Sequence, residues 1–195
     1  MLPNTLVRSY LLALAELLGK NGLKTILNVS GLSEWIENYP PEDEIKAVGF
    51  ESFAQLQAVL EDLYGERAGQ NLSKKAAKSS FMDVGIRLLE VDMGSEGSKD
   101  RLKLHIQAFL DLFNQEDVND VTWESSQQDI IINFKRCPNC VSIESSTPTC
   151  FASLGWIEAF FESIGTGERL EVTEATCLAS GDNSCSFVIR AMQEK

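Results

Sequence analysis

The stretch that decides the fold is Thr147-Pro148-Thr149-Cys150, taken up again at Glu174-Ala175-Thr176-Cys177-Leu178-Ala179-Ser180-Gly181-Asp182-Asn183-Ser184-Cys185-Ser186-Phe187. Thr147-Pro148 reads as an N-cap followed by proline at the first helical position. A helix starting there puts Cys150 in its first turn, where unpaired N–H groups and the positive dipole end favour a thiolate. Gly181-Asp182-Asn183 reads as a turn, with Cys177 and Cys185 placed symmetrically about Gly181. Across a hairpin centred there, their Cβ atoms would lie roughly 5 Å apart, a separation that suits two ligands on one ion. A regular strand would point Glu174 to the opposite face from Cys177, so it joins them only through a bulge or an irregular strand entry. Three sulfurs and one carboxylate in a closed tetrahedral shell suit Zn²⁺. The plainer alternative is that the cysteines are inert core residues, as buried free thiols often are.

All five cysteines fall between Cys137 and Cys185. An odd, clustered set argues against a secreted disulfide framework and for metal or redox chemistry in a reducing compartment. Cys137-Pro138-Asn139-Cys140 is a separate signal. It reads as a redox pair, as a metal knuckle sharing the nearby cysteines, or, most commonly for such a spacing, as a tight loop without metal. No thioredoxin-like βαβ pattern surrounds it.

Upstream of this region the pattern is helical. Val7, Leu11, Leu14 and Leu18 share one face. The stretch Gly19–Gly22 breaks that helix, and Leu23, Ile26 and Leu27 begin a shorter one. Tyr39-Pro40-Pro41 marks a loop. Phe53, Leu56, Leu60 and Leu63 form the next stripe. After Gly65–Gly69 a helix carries Leu72, Ala76, Met82, Ile86 and Leu89. A loop over Gly94–Gly97 leads to Ser98 as a plausible N-cap, then to a stripe of Leu102, Ile106, Phe109 and Phe113. From about residue 118 strands are expected: Val121 and Trp123 paired with Ile130 to Phe134 as a hairpin, Leu170 to Leu178, and a closing strand with Phe187, Val188 and Ile189. Between them Phe151, Leu154, Ala159, Phe160 and Ile164 suit a helix ending at Gly165 or Gly167. The expected fold is α+β: an N-terminal helical layer packed on a small antiparallel sheet with one long helix. The whole chain, 1–195, reads as one domain, with 1–117 as a helical leader and 118–195 as the α/β core.

The 195 residues carry a net charge of −12, with 44% hydrophobic and 24% charged residues. A chain of this length buries enough surface to fold without staples. The acidic balance disfavours nucleic acid and anionic membrane surfaces, both of which require Lys and Arg. No apolar run approaches the roughly 20 residues of a membrane span. Glu16 interrupts the apolar start that superficially mimics a signal peptide. A cytoplasmic location is expected.

The cysteine segment resembles the 4-vinyl-reductase-like domain, a small-molecule-binding module also found in hydrocarbon-binding proteins and in the sensor domains of aromatic-responsive activators. The resemblance rests on Pro148/Cys150, Glu174/Cys177 and Gly181/Asp182/Cys185, and covers about residues 120–192. Leu63 to Leu72 resembles, less distinctively, the helical leader that precedes that domain. The resemblance implies a structural zinc held by Cys150, Glu174, Cys177 and Cys185, with Cys137 and Cys140 as a possible alternative metal site. It implies a fold similar to that of TRAPP-complex tethering subunits and a homodimer formed through the helices.

Two residues are candidate ligand contacts. His105, the sole histidine, lies on the apolar stripe between Leu102 and Phe109. It reads as a satisfied core residue or as a polar handle in an apolar pocket. Trp123 reads as a packed strand aromatic or as a pocket residue. Trp156, Phe160 and Phe161 read as core or dimer interface. One histidine supports no catalytic triad, and Gly94-Ser95-Glu96-Gly97 lacks a P-loop lysine, so no catalytic residue is assigned. The reading is a module that binds or senses a small hydrophobic or aromatic ligand, with a signalling or biosynthetic protein partner. The alternatives are an accessory protein or enzyme of (bacterio)chlorophyll vinyl reduction and a dimeric interaction scaffold.

Overall fold

A two-residue strand, β1 (Leu2–Pro3), leads directly into helix α1 (Asn4–Val29). In the computed structural model, which describes residues 1–89, 98–115, 120–126, 129–165 and 169–192, α1 buries Leu6, Val7, Tyr10, Leu11 and Leu14, the face expected from the apolar spacing. The helix bends at Gly19, whose φ of 73° an L side chain adopts only with strain. The expected break is thus a kink at one residue. A loop through Tyr39–Pro41 returns the chain to β2 (Lys46–Val48), which pairs antiparallel with β1.

Helix α2 (Phe50–Tyr64) and helix α3 (Glu66–Ser80) follow. The turn between them is confined to Gly65 at φ 81°, and Gly69 is helical. A Cβ on Gly69 would lie 2.6 Å from the Leu60 carbonyl oxygen, so this glycine lets α3 cross close over α2. Helix α3 passes through one π-helical turn (Phe81–Gly85) into the short α4 (Ile86–Leu88). Its buried face is Ser73, Ala76, Ala77, Ser80, Phe81 and Val84. Met82 and Ile86, expected inside, are exposed, as is Leu63 on α2. The added residue of the π-turn rotates the face away from the regular period. The expected Gly94–Gly97 loop lies outside the described residues. Helix α5 (Ser98–Asp111) begins at Ser98 itself and buries Ile106 and Phe109, with Phe113 buried just beyond its end.

Strands β3 (Val121–Ser125) and β4 (Asp129–Phe134) form the expected hairpin. Helix α6 runs Phe151–Ile164 and ends at Gly165 in the left-handed conformation. Strands β5 (Leu170–Thr176) and β6 (Cys185–Ala191) complete an antiparallel sheet of order β3-β4-β6-β5. The architecture is α+β. Helix α6 is apolar almost all round and is correspondingly enclosed. Its Gly155 lies so close to α3 that a Cβ would sit 2.3 Å from the Lys74 carbonyl oxygen.

An aromatic chain joins the layers. Tyr10, Phe53, Trp156, Phe113, Phe134 and Phe187 make successive ring contacts at 5.0, 5.2, 5.5, 5.4 and 5.6 Å. It connects α1, α2, α6, the end of α5, β4 and β6, so residues of the leader and of the sheet share one buried cluster. Among the described residues, no helix is long and apolar enough to cross a membrane.

Candidate metal centre

Six potential ligands converge where the start of α6 meets one end of the sheet. Cys137 and Cys140 sit on the turn after β4. Cys150 immediately precedes α6. Glu174 and Cys177 lie at and just past the end of β5, and Cys185 opens β6. All five cysteines are free and buried. The Sγ atoms of Cys137 and Cys150, and of Cys140 and Cys185, are 3.4 Å apart. Cys150 Sγ lies 3.5 Å from that of Cys185 and 3.7 Å from that of Cys177. A tetrahedron with metal–sulfur bonds of about 2.3 Å has sulfur–sulfur edges of about 3.8 Å, so these separations match one ion's shell.

Two four-ligand sets can be drawn, each with its ligand atoms within 4.8 Å of one another: Cys137, Cys140, Cys150 and Cys185, and Cys150, Glu174, Cys177 and Cys185. The second is the set implied by the resemblance. The first brings in the CxxC pair, so the tight loop that holds it is not remote from the other thiols. Four buried cysteines are thus close enough to hold a metal ion.

Local backbone chemistry explains the convergence. The register of β5 against β6 shifts between Glu174 and Thr176, the irregularity needed to turn Glu174 toward the cysteines. Its Oε2 then accepts the N–H of Cys150 at 3.0 Å. Helix α6 starts later than expected, because Thr147 and Pro148 precede it in a loop and Cys150 occupies the cap position. Asn139 does the work of a cap, its Oδ1 accepting the N–H of Ser153 at 2.7 Å. This ties the CxxC turn to the helix start, a role that the sequence gives no sign of. Asp182 accepts the N–H of Cys177 at 2.8 Å, and the N–H of Leu178 points to Cys185 Sγ at 3.3 Å.

The electrostatics suit a cation. Burial pushes the Cys137 and Cys150 thiols up. Cys140 is pulled down by the thiols around it, Cys137 first. Burial, with the Cys177 thiolate beside it, raises the Glu174 carboxyl to about 8. Glu174 Oε1 is buried without a hydrogen-bond partner. An acceptor left bare in this way costs free energy unless a cation meets it.

His105 and Trp123 stand apart from this cluster. His105 is buried on α5, its Nδ1 2.7 Å from the Arg101 carbonyl oxygen. Trp123 is half-buried on β3 opposite Ile132. A cleft of about 420 Å³ opens between α3, α6 and β5, with Lys74, Lys78, Arg169, Phe161, Leu170 and Val172 among its lining. Neither His105 nor Trp123 lines it.

Residues 130–191 match the model of the 4-vinyl-reductase domain family, so the resemblance carried by the cysteine motifs is borne out for that segment. An uncharacterized protein of Methanocaldococcus jannaschii is 25% identical over 171 residues, 80% of this chain and 72% of that protein. Solved H-NOX domains share the fold. A structure from work on heme distortion in the H-NOX family superposes with a TM-score of 0.63 at 13% identity, over 98% of this chain and 96% of that one. A point mutant of T. tengcongensis H-NOX gives 0.62 at 12%, over 98% of each chain. An S. oneidensis H-NOX in the Fe(II)NO state gives 0.54 at 13%, over 95% and 99%.

Proposed function

We propose that the protein is a small-molecule-binding or sensing module whose α6–β5 angle is fixed by a structural zinc. The carrying observation is the convergence of buried thiols with a carboxylate oxygen that has no other partner. Cys150, Glu174, Cys177 and Cys185 are the ligands proposed from the resemblance, with Cys137 and Cys140 beside them. Zinc supplies a closed tetrahedral shell and no open coordination position, which suits a structural role rather than catalysis.

The clamp and the cleft lie at opposite ends of the same two elements. From Cys150 to Phe161 along α6 is about 16 Å at helical rise. From Cys177 back to Val172 along β5 is about 17 Å at strand rise. Pinning the helix start to the strand end therefore sets how far the other ends stand apart. The match to the 4-vinyl-reductase domain family and the H-NOX-like fold support a small hydrophobic or aromatic ligand. His105 and Trp123 remain proposed ligand contacts. Nδ1 of His105 donating to Arg101 leaves Nε2 as its ring acceptor.

The solved relatives are described in terms of heme. A heme does not fit the described interior beside α5, where Phe109 stacks on Phe160 at 4.6 Å and meets Phe81 and Phe113 at 5.6 and 5.2 Å. The function proposed does not pass through one.

Metal analysis of the full chain with Cys150→Ser and Cys185→Ser variants tests the clamp. Both variants are expected to lose metal and melt lower; unchanged metal content and melting temperature in both would defeat the reading. Native mass spectrometry tests the ligand. A co-purifying apolar molecule is expected, and a chain that binds neither aromatic nor acyl probes would remove that half.

A further inference from the structure

We propose that the thiol cluster holds two divalent metal ions that share Cys150 and Cys185 as bridging thiolates, with Cys137 and Cys140 completing one ion's shell and Glu174 and Cys177 the other's. This rests on the proposed metal-binding reading and extends it from one ion to two.

The geometry carries the step. The two four-ligand sets have Cys150 and Cys185 in common, and their sulfurs lie 3.5 Å apart. Each shared sulfur also has a separate neighbour. Cys137 lies 3.4 Å from Cys150, and Cys140 lies 3.4 Å from Cys185. On the other side Cys177 lies 3.7 Å from Cys150. Two tetrahedra with one common edge are therefore preformed to a similar degree.

A single ion leaves part of this arrangement without purpose. In the all-cysteine set, Glu174 Oε1 remains a buried acceptor with no partner. In the mixed set, Cys137 and Cys140 remain free thiols packed against metal-bound sulfur. Two ions engage all six donors. Charge favours the same outcome, because five thiolates and a carboxylate around one divalent ion leave a large buried excess of negative charge, which a second ion halves. The bridging positions are also the best supported. Cys150 stands at the start of α6, where the helix dipole favours negative charge, and Cys185 Sγ faces the Leu178 N–H at 3.3 Å.

The test is titration of the metal-free full chain with Co²⁺ and, separately, Zn²⁺, read by metal analysis, native mass spectrometry and electron paramagnetic resonance. Two ions per chain are expected. The cobalt signal should grow to one equivalent and fall towards the second, as the thiolate bridges couple the spins. The pair Cys137→Ser/Cys140→Ser should hold one ion with an uncoupled signal. Cys150→Ser should lose both. One ion in the unaltered chain overturns the second site and leaves the single-ion reading standing; no ion defeats both. Two ions with uncoupled signals, two ions retained by the double variant, or iron with inorganic sulfide would also overturn the proposal. If the double variant fails to fold, stoichiometry and spin coupling in the unaltered chain decide alone.

Discussion

Glu174 holds the backbone of Cys150 with one carboxylate oxygen and keeps the other bare: Oε2 accepts the Cys150 N–H at 3.0 Å, and Oε1 is buried without a partner. One side chain thus joins β5 to the start of α6 and faces the thiol cluster. Glu174→Gln keeps an acceptor for Cys150 and removes the charge. Metal affinity should fall roughly 10–100-fold, the scale found when groups tuning a metal site are altered. The metal-free protein should melt within a degree or two of its parent. Equal affinities in competition titrations would show that Glu174 only braces the helix.

Chelation should lower the melting temperature. An ion present at about 1,000 times its dissociation constant contributes roughly 4 kcal/mol. At about 2–4 °C per kcal/mol for a chain of this size, the drop is on the order of 10 °C. Restoring zinc should reverse it. Because thiols must lose protons to bind, apparent affinity should weaken as pH falls. A melting curve indifferent to both chelator and zinc would count against the clamp.

Gly155→Ala should separate α6 from α3. The added methyl would meet the Lys74 carbonyl oxygen at 2.3 Å and Ala77 Cβ at 3.0 Å. Backbone cannot yield as a side-chain tip does, so a loss of about 3 kcal/mol is expected, at the upper end of overpacking costs. Urea unfolding measures it, and a shift below about 0.5 kcal/mol would mean that the helices are not so closely apposed.

Tyr10 should make the fold alkali-sensitive. Its hydroxyl donates to Gln57 Oε1 at 3.0 Å, and burial raises its pKa from 10.0 to about 12. The unfolded chain loses this proton first, so the contribution is complete below pH 10 and fades as pH climbs towards 12. A rise of that size corresponds to roughly 3 kcal/mol. Tyr10→Phe should remove that part of the decline and cost about 1 kcal/mol at neutral pH. Phenolate absorbance followed alongside unfolding reads both.

The ion pairs beside the cleft should matter little to stability. Lys78 Nζ lies 2.5 Å from Glu162, with side chains 39% and 56% exposed. Lys78→Ala should change stability by less than about 0.5 kcal/mol, as exposed pairs do. A larger loss in urea unfolding would point to a more enclosed cleft.

Much of the fold is legible in the chain because it depends on local periodicity. The Val7–Leu14 face, the β3–β4 hairpin and the αL end at Gly165 follow from spacings of a few residues. The misplaced inward positions, Met82 and Ile86, lie within or just beyond a π-helical turn, where one extra residue rotates the face and no local signal announces it. Helix α6 starts later than Thr147-Pro148 suggests: those residues match a cap pattern, whereas the actual cap comes from Asn139, outside the segment.

Spacing alone therefore determined that Cys150, Glu174, Cys177 and Cys185 belong together, and that Glu174 needs a break in strand register to reach them. Whether Cys137 and Cys140 stand with them was decided only by the tertiary structure. The physical reason is that a turn's sequence fixes its own shape, while its distance from a helix start and a strand end depends on how the β4 hairpin and α6 pack, which is settled by the shared aromatic core.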